Sequence, residues 1–465
     1  MPVKGPGLIR HYFDRQLGGP PPRPGPVERM IELLKRARWL TALWALGALA
    51  SFAAAYDSMY EQAPINYSQT DPAGPVAELQ RQLDLGRLQL DRRDDKTLLR
   101  ALLRQFEIPV ESQVLVFSKT SHQNPYITPT TPRAVYFGDN VYLGWVQGGV
   151  VEVADMSPTL GMTFYVLDHR DRSKPLKFER TASCLDCHAG SRVNNLPGMM
   201  VRSVYPDLNG QPILSQGSFV TGHASPFNER WGGWYVTGRH GTARHMGNAI
   251  ARETKDGIAF DPAGGANCTD LTTFIATSPY LTGTSDLVAL MVLEHQTEMQ
   301  NILSQAGTVA RLAIHRQTLL RQELGEPATD ALTGSSLTVV KSQTEKILRH
   351  LLFCDEILLP DGGIQGRPEF QAGFQRNARR DSPGRSLKDF QLQHHLFKHR
   401  CSYMIYSRAF DDLPEKLKEL VYKRLLEVLD GEDTSETFAH LGRQERDAIK
   451  SILIATKPGL PKSWR

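Results

Sequence analysis

Cysteine is scarce in this chain, five residues among 465, and one pair alone, Cys184 and Cys187, stands close together. A structural zinc site would need further Cys or His at matching spacing, and Cys268, Cys354 and Cys401 are scattered. No basic patch with interleaved aromatics occurs, so no nucleic-acid partner is expected. Ser-His-Asp contexts, phosphate loops and internal repeats are also missing, which leaves hydrolytic and nucleotide chemistry without a sequence signal. Long apolar runs are absent except for one, "WLTALWALGALASFAAAY", at 39–56.

That run is uncharged and follows Lys35, Arg36 and Arg38. Basic residues before it and none after it predict a cytoplasmic N-terminus and an exported remainder. Its length suits either a short membrane anchor or a signal peptide, with Ala53-Ala54-Ala55 as a small-residue cleavage site. Started at Met30, it would have signal-peptide proportions. The preceding leader, 1–38, is Pro-rich and basic, without a core-forming pattern. Residues 1–55 hold 8 of the chain's 54 Lys+Arg and 3 of its 50 Asp+Glu, leaving 46 basic against 47 acidic residues beyond. The basic balance of the chain therefore comes from the leader, and the exported part is nearly neutral.

What is present is "TASCLDCHAG", residues 181–190. Cys184, Cys187 and His188 form Cys-x-x-Cys-His, the attachment pattern of a c-type haem. The two thiols add across the porphyrin vinyl groups, and the adjacent imidazole binds the iron from the proximal side. With five Cys and 14 His in the chain, chance would produce the pattern on the order of 10⁻³ times. Zinc binding and a thioredoxin-like dithiol are the alternatives; the first lacks further ligands and the second does not call for the histidine. One covalent haem c is therefore expected, with Cys184 and Cys187 as anchors and His188 as iron ligand.

The pattern along the chain predicts an α+β fold, a β-rich haem-bearing half followed by a mainly helical half. Residues 57–110 read as helical, with Leu98, Leu99, Leu102, Leu103 and Phe106 as an apolar stripe ended by Pro109. Residues 111–280 read as short antiparallel strands, with breaks at Asp139-Asn140, Gly148-Gly149 and Asn209-Gly210. Residues 281–465 read as helices near 286–303, 335–359, 386–407, 413–430 and 443–455, with a long Gly/Arg/Pro-rich loop at 360–385. Ser285 is available as the N-cap of the first of these, and Ser386 with Asp389 resembles a capping box.

The ligand on the other face of the iron separates electron transfer, which suits two protein ligands, from chemistry at an open position. Met199 and Met200, in "NNLPGMM", lie 11 and 12 residues beyond His188, and eleven extended residues reach about 36 Å. Met200 is accordingly a candidate distal ligand. The rivals are His223 at the end of the predicted hairpin, His240 and His245 in the glycine-rich "RHGTARHMG", and His295, which shares a helical face with Met291, Met299 and Ile302. His395 and His399 stand at i, i+4 on the predicted 386–407 helix. In an exported chain Cys354 and Cys401 could form a disulfide.

The segments 116–149, 184–213 and 229–248, with "CSYMIYSRAF" at 401–410, resemble large, mostly uncharacterised bacterial proteins described as cytochrome c domain-containing. The resemblance runs from about residue 100 to 460 and implies a covalent haem and a periplasmic location, with no particular substrate. Three functions are consistent with these features. The first is an exported monohaem c-type cytochrome passing single electrons to a redox partner in that compartment, tethered to the membrane through 39–56 if that segment is uncleaved. The second is a haem enzyme, a peroxidase or an oxidase of a small molecule. The third is a haem-based sensor.

Overall fold

The computed structural model describes residues 58–464 apart from Asp256. The leader at 1–38 and the apolar segment at 39–56 lie outside the described residues. Among the described residues, no helix is long and apolar enough to cross a membrane.

In chain order the helices are α1 (Pro75–Asp84), α2 (Asp95–Gln105), the single turn α3 (Leu185–His188), α4 (Leu287–Glu323), α5 (Gly334–Leu351), α6 (Pro368–Gln375), α7 (Arg408–Asp411), α8 (Glu415–Leu429) and α9 (Arg443–Thr456). Strands β1 (Val114–Val116), β2 (Arg133–Phe137), β3 (Val141–Trp145), β4 (Val151–Ser157), β5 (Gly161–Leu167) and β6 (Phe178–Arg180) form an antiparallel meander. Strands β7 (Val201–Val204) and β8 (Ser218–Thr221) pair separately, β9 (Trp234–Tyr235) returns to the meander, and β10 (Arg252–Thr254) pairs with β11 (Gly257–Ala259). The main sheet runs β6-β5-β4-β3-β2-β1-β9.

Alternation along these strands explains both faces of the sheet. Val114, Val116, Val135, Phe137, Tyr142, Ala154, Met156 and Phe164 belong to one buried cluster. Their neighbours Leu115, Ala134, Tyr136, Leu143, Val153 and Tyr165 belong to another. Successive side chains in a strand point to opposite faces, so each strand feeds both layers. The second face is covered by Leu98, Leu99, Leu102 and Leu103 of α2, together with Leu271 and Tyr280. Helix α4 and the C-terminal helices cover the first face. Burial on both sides is why these strands read as almost continuous apolar runs.

The breaks read from sequence fall in the hairpins. Gly138 N–H donates to the Val141 carbonyl at 2.9 Å, and Gly149 N–H donates to Val146 at 3.0 Å across a turn where Gly148 has φ +74°. The result is α+β, a β-rich N-terminal half and a mainly helical C-terminal half. The two halves share one core, because sheet residues and α4 residues meet in the same cluster, and residues 58–465 form one compact unit.

Helix α4 spans 37 residues, beyond the 286–303 expected. Its N-cap is Asp286, whose carboxylate accepts from Val288 and Ala289 N–H, and not Ser285. Ser285 is drawn into the sheet, donating to the Tyr235 carbonyl at 2.5 Å and accepting from Leu115 N–H at 2.9 Å. The helix expected at 386–407 does not form. Ser386 N–H does donate to the Asp389 carboxylate at 2.9 Å, but the chain then folds back, with Phe390 bridging Phe397. Local capping chemistry was realised there as an isolated turn, because the aromatic side chains pack better across a hairpin than along a helix face: Phe390 and Phe397 stack at 5.4 Å. The 360–385 loop contains α6, which starts on Pro368.

Candidate functional site

The segment between β6 and β7 carries the Cys-x-x-Cys-His motif on α3. One helical turn brings Cys184, Cys187 and His188 to a single face, since positions i, i+3 and i+4 are neighbours on a helix surface. Cys184 is half-buried and packs against the main core, while Cys187 is exposed. The imidazole of His188 stacks on Phe164 of β5, with centroids 4.4 Å apart and planes at 29°.

His188 is oriented by its own loop. Its Nδ1 pairs with the Gly198 carbonyl at 2.9 Å, and Gly198 N–H donates back to the His188 carbonyl at 2.8 Å. With Nδ1–H donating to a carbonyl, Nε2 is the lone-pair nitrogen. Among the described residues nothing hydrogen-bonds to it. This is the arrangement a metal-bound histidine adopts, its second ring nitrogen tied to a carbonyl. Burial also lowers the His188 pKa, which keeps the ring in the neutral form that binds metal.

The turn after the motif is fastened to α4. Met199 N–H donates to the Asn301 side-chain oxygen at 2.9 Å, and the Asn301 amide donates to the Met199 carbonyl at 2.6 Å. Met199 and Met200 thereby reach the same cavity as the motif.

That cavity, of about 390 Å³, is walled by Cys184, Cys187 and His188, by the sheet residues Val116, Val135, Tyr142, Ala154, Phe164 and Trp234, and by Leu293 and Thr297 of α4. Its size lies within the usual range for cofactor sites, and its walls mix apolar side chains with many polar and charged ones, Asp186 among them. The cationic part of the wall has two components. Arg133 of β2 pairs with Glu152 of β4 at 2.5 Å, across the intervening strand β3. Gly144 makes room for that guanidinium, since a Cβ there would collide with it. Burial pushes the Glu152 carboxyl up, but Arg133, Gln123 and Ser121 outweigh it and hold the group below its ordinary value. Arg192 and Arg202 also line the cavity. Neither forms an ion pair among the described residues, and Arg202 is lowered first by burial and then by Arg192.

The donor set therefore fits a covalently held haem: two thiols on one helical face, an imidazole with one nitrogen committed, a cavity beside them and unpaired guanidiniums on its wall. It does not fit a redox-active dithiol. Cys184 is pushed up to about 11 by burial and then by Glu152, away from the lowered pKa that makes such thiols reactive.

The other candidates lie elsewhere. Of the proposed distal ligands, Met200 lines the cavity, and His223, His240, His245 and His295 do not. Leu293 and Thr297 face the cavity, so His295, about 200° around α4 from Leu293, points away from it. His295 Nδ1 instead meets His223 Nδ1 at 3.0 Å. His240 uses both ring nitrogens locally, with the Ala243 carbonyl and with Asn267 N–H. His245 accepts from Gly247 N–H. His395 and His399 are not on a helix, and His395 pairs with Glu356 at 2.9 Å. Cys354 and Cys401 are free, buried thiols, and the expected disulfide is not formed.

Sequence reasoning missed two histidines. His122 lines the cavity, and its Nε2 pairs with the Ser183 carbonyl at 2.8 Å, next to the motif. It sits in a loop without periodic pattern, so no spacing could mark it. His350 of α5 stacks on His223 at 4.2 Å. No family model, curated protein or solved structure matches the chain.

Proposed function

We propose that the chain is an exported monohaem c-type cytochrome, with haem c held covalently by Cys184 and Cys187 and its iron bound by His188. One observation carries the reading: all three residues share one helical face on the wall of a 390 Å³ cavity, and the Gly198 carbonyl already occupies His188 Nδ1. When bound, haem c supplies an iron that cycles between ferric and ferrous and so carries one electron. The rest of the chemistry belongs to the chain. The thiols prevent loss of the group outside the cytoplasm, Gly198 and Phe164 fix the imidazole, and apolar sheet residues exclude water. Arg192 and Arg202 are the groups that would meet the ring's carboxylates. Met200, which lines the cavity, would offer a thioether as a further iron ligand, and two protein ligands would suit electron transfer to a redox partner.

The pyridine haemochrome spectrum of protein matured in a strain competent in cytochrome c assembly tests this. Covalent haem should survive acid-acetone extraction of the wild type and be lost when both Cys184→Ala and Cys187→Ala are present. Colourless wild-type protein, with no mass beyond the polypeptide, would overturn the reading.

A second reading, a haem enzyme acting on a small molecule, draws support from the partly exposed Arg133–Glu152 pair in the cavity wall. An ionised carboxylate beside the cofactor, able to accept a proton, is more than an electron carrier needs. Carbon monoxide separates the two. A reduced form inert to it supports electron transfer, and a form that binds it supports small-molecule chemistry.

A further inference from the structure

On the face of α4 turned away from the motif cavity, we propose a second metal centre for a divalent first-row transition ion, with His223, His295 and His350 as ligands and the Glu298 carboxylate beside His350. It is independent of the haem reading.

The three imidazoles come from distant parts of the chain: the loop after β8, α4 and α5. All are buried, and one ring nitrogen from each lies within 4.8 Å of the others. Nδ1 of His223 and Nδ1 of His295 are 3.0 Å apart. Two nitrogens bound about 2.05 Å from one ion stand roughly 2.9 Å apart at a right angle and roughly 3.3 Å apart at a tetrahedral angle, so this spacing is that of a ligand pair.

The outer nitrogens of these rings are held in the way metal-bound histidines are held. His223 Nε2 lies 3.1 Å from the Cys354 carbonyl, and His295 Nε2 lies 2.7 Å from Ser402 Oγ. Each can donate outward, which leaves both Nδ1 lone pairs facing inward.

A metal-free network explains only half of this. Ser402 could donate to His295, His295 to His223, and His223 to Cys354, satisfying two rings. It leaves His350 Nε2 buried without a hydrogen-bond partner, on a residue only 7% exposed. Glu298 Oε2 is likewise buried without one, and the two atoms are 3.8 Å apart. Orphaned polar atoms are costly, and two facing each other beside a histidine pair point to a missing partner. A cation held by the three imidazoles satisfies the ring nitrogens, and its charge compensates the Glu298 carboxylate next to them. Gly222 adds a local reason for the carboxylate's position, since a Cβ there would collide with Glu298. Burial keeps the three imidazoles below their ordinary pKa, in the neutral, ligating form. Three imidazoles with a carboxylate nearby suit zinc or ferrous iron, whereas magnesium and calcium prefer oxygen.

The test uses full-length matured protein, dialysed against chelator and titrated with Zn²⁺, with bound zinc counted by mass spectrometry after gel filtration and melting followed in parallel. One Zn²⁺ per chain and a raised Tm are expected for the wild type. His350→Gln and Glu298→Ala should each weaken binding about tenfold or more. Glu298 has a half-exposed side chain, so its removal leaves a folded chain to measure. No zinc uptake, or uptake that both variants leave unchanged, overturns the proposal. Haem content, read separately, distinguishes this failure from failure of the cytochrome reading.

Discussion

His188 and Gly198 bond to each other twice, the imidazole Nδ1 to the Gly198 carbonyl at 2.9 Å and the Gly198 amide to the His188 main-chain carbonyl at 2.8 Å. Orientation of the proposed iron ligand thus depends on a glycine ten residues away, and the next residue, Met199, is held in turn by two hydrogen bonds to Asn301 of α4. A Cβ at position 198 would lie 2.5 Å from the Asn301 side-chain oxygen. Gly198→Ala should therefore destabilise the fold by about 1–3 kcal/mol through overpacking. Asn301→Ala, which removes two hydrogen bonds to Met199, should cost a similar ~1–3 kcal/mol. Urea denaturation reads both. If both variants melt like the wild type, the loop is not fastened to α4.

Arg202 faces the cavity with no carboxylate partner among the described residues, and its Nε–H donates to Ser218 at 2.8 Å. An uncompensated positive charge beside the proposed haem favours the reduced iron, which carries one positive charge less. Arg202→Gln should lower the midpoint potential relative to wild type, and the gap should shrink as salt is added. Spectroelectrochemical titration checks it. An unchanged potential would place the guanidinium away from the cofactor.

How much of this could be read from sequence follows from the range of each interaction. The meander was legible because short apolar runs and turn residues act over a few positions: Asp139-Asn140 and Gly148-Gly149 mark the hairpins on both sides of β3. The Cys-x-x-Cys-His motif was legible because its residues fall within five consecutive positions. The failures are long-range. Nothing near Ser386 announces that Phe390 will pair with Phe397, so a valid capping signal was extended into a helix that is absent. His295 was singled out as odd on an apolar face, but its partners His223 and His350 are 72 and 55 positions away and its Ser402 contact is 107 away. Sequence spacing cannot show that such residues converge.

His245 makes acid stability testable. Burial, then His240 and Arg244, lower it from 6.5 to about 3. As pH falls through 6.5 the unfolded chain takes up a proton here and the folded chain does not, so acid favours unfolding across that whole window. The slope is up to about 1.4 kcal/mol per pH unit. Relative to His245→Gln, the wild type should lose stability steadily from pH 6.5 down to about 3, with a constant difference above that range. Denaturant titrations of both proteins at stepped pH provide the comparison. Parallel curves would mean that His245 titrates normally.

Arg230 and Glu294 form an ion pair at 2.7 Å, 2% and 0% exposed. Removing one partner leaves the other charge buried and uncompensated, so Arg230→Ala and Glu294→Ala should each cost about 3–5 kcal/mol. The pair also bears on the histidine cluster. Arg230 donates to the carbonyls of Ser225 at 2.8 Å and His223 at 3.2 Å, while Glu294 directly precedes His295 on α4. One ion pair therefore ties the loop carrying His223 to the helix carrying His295. Replacing both residues with apolar ones, Arg230→Met with Glu294→Leu, should recover much of the lost stability, because no orphan charge remains. It should not recover zinc binding, because the guanidinium no longer holds the His223 backbone in place. A double variant that regained both would show that His223 is positioned by packing alone.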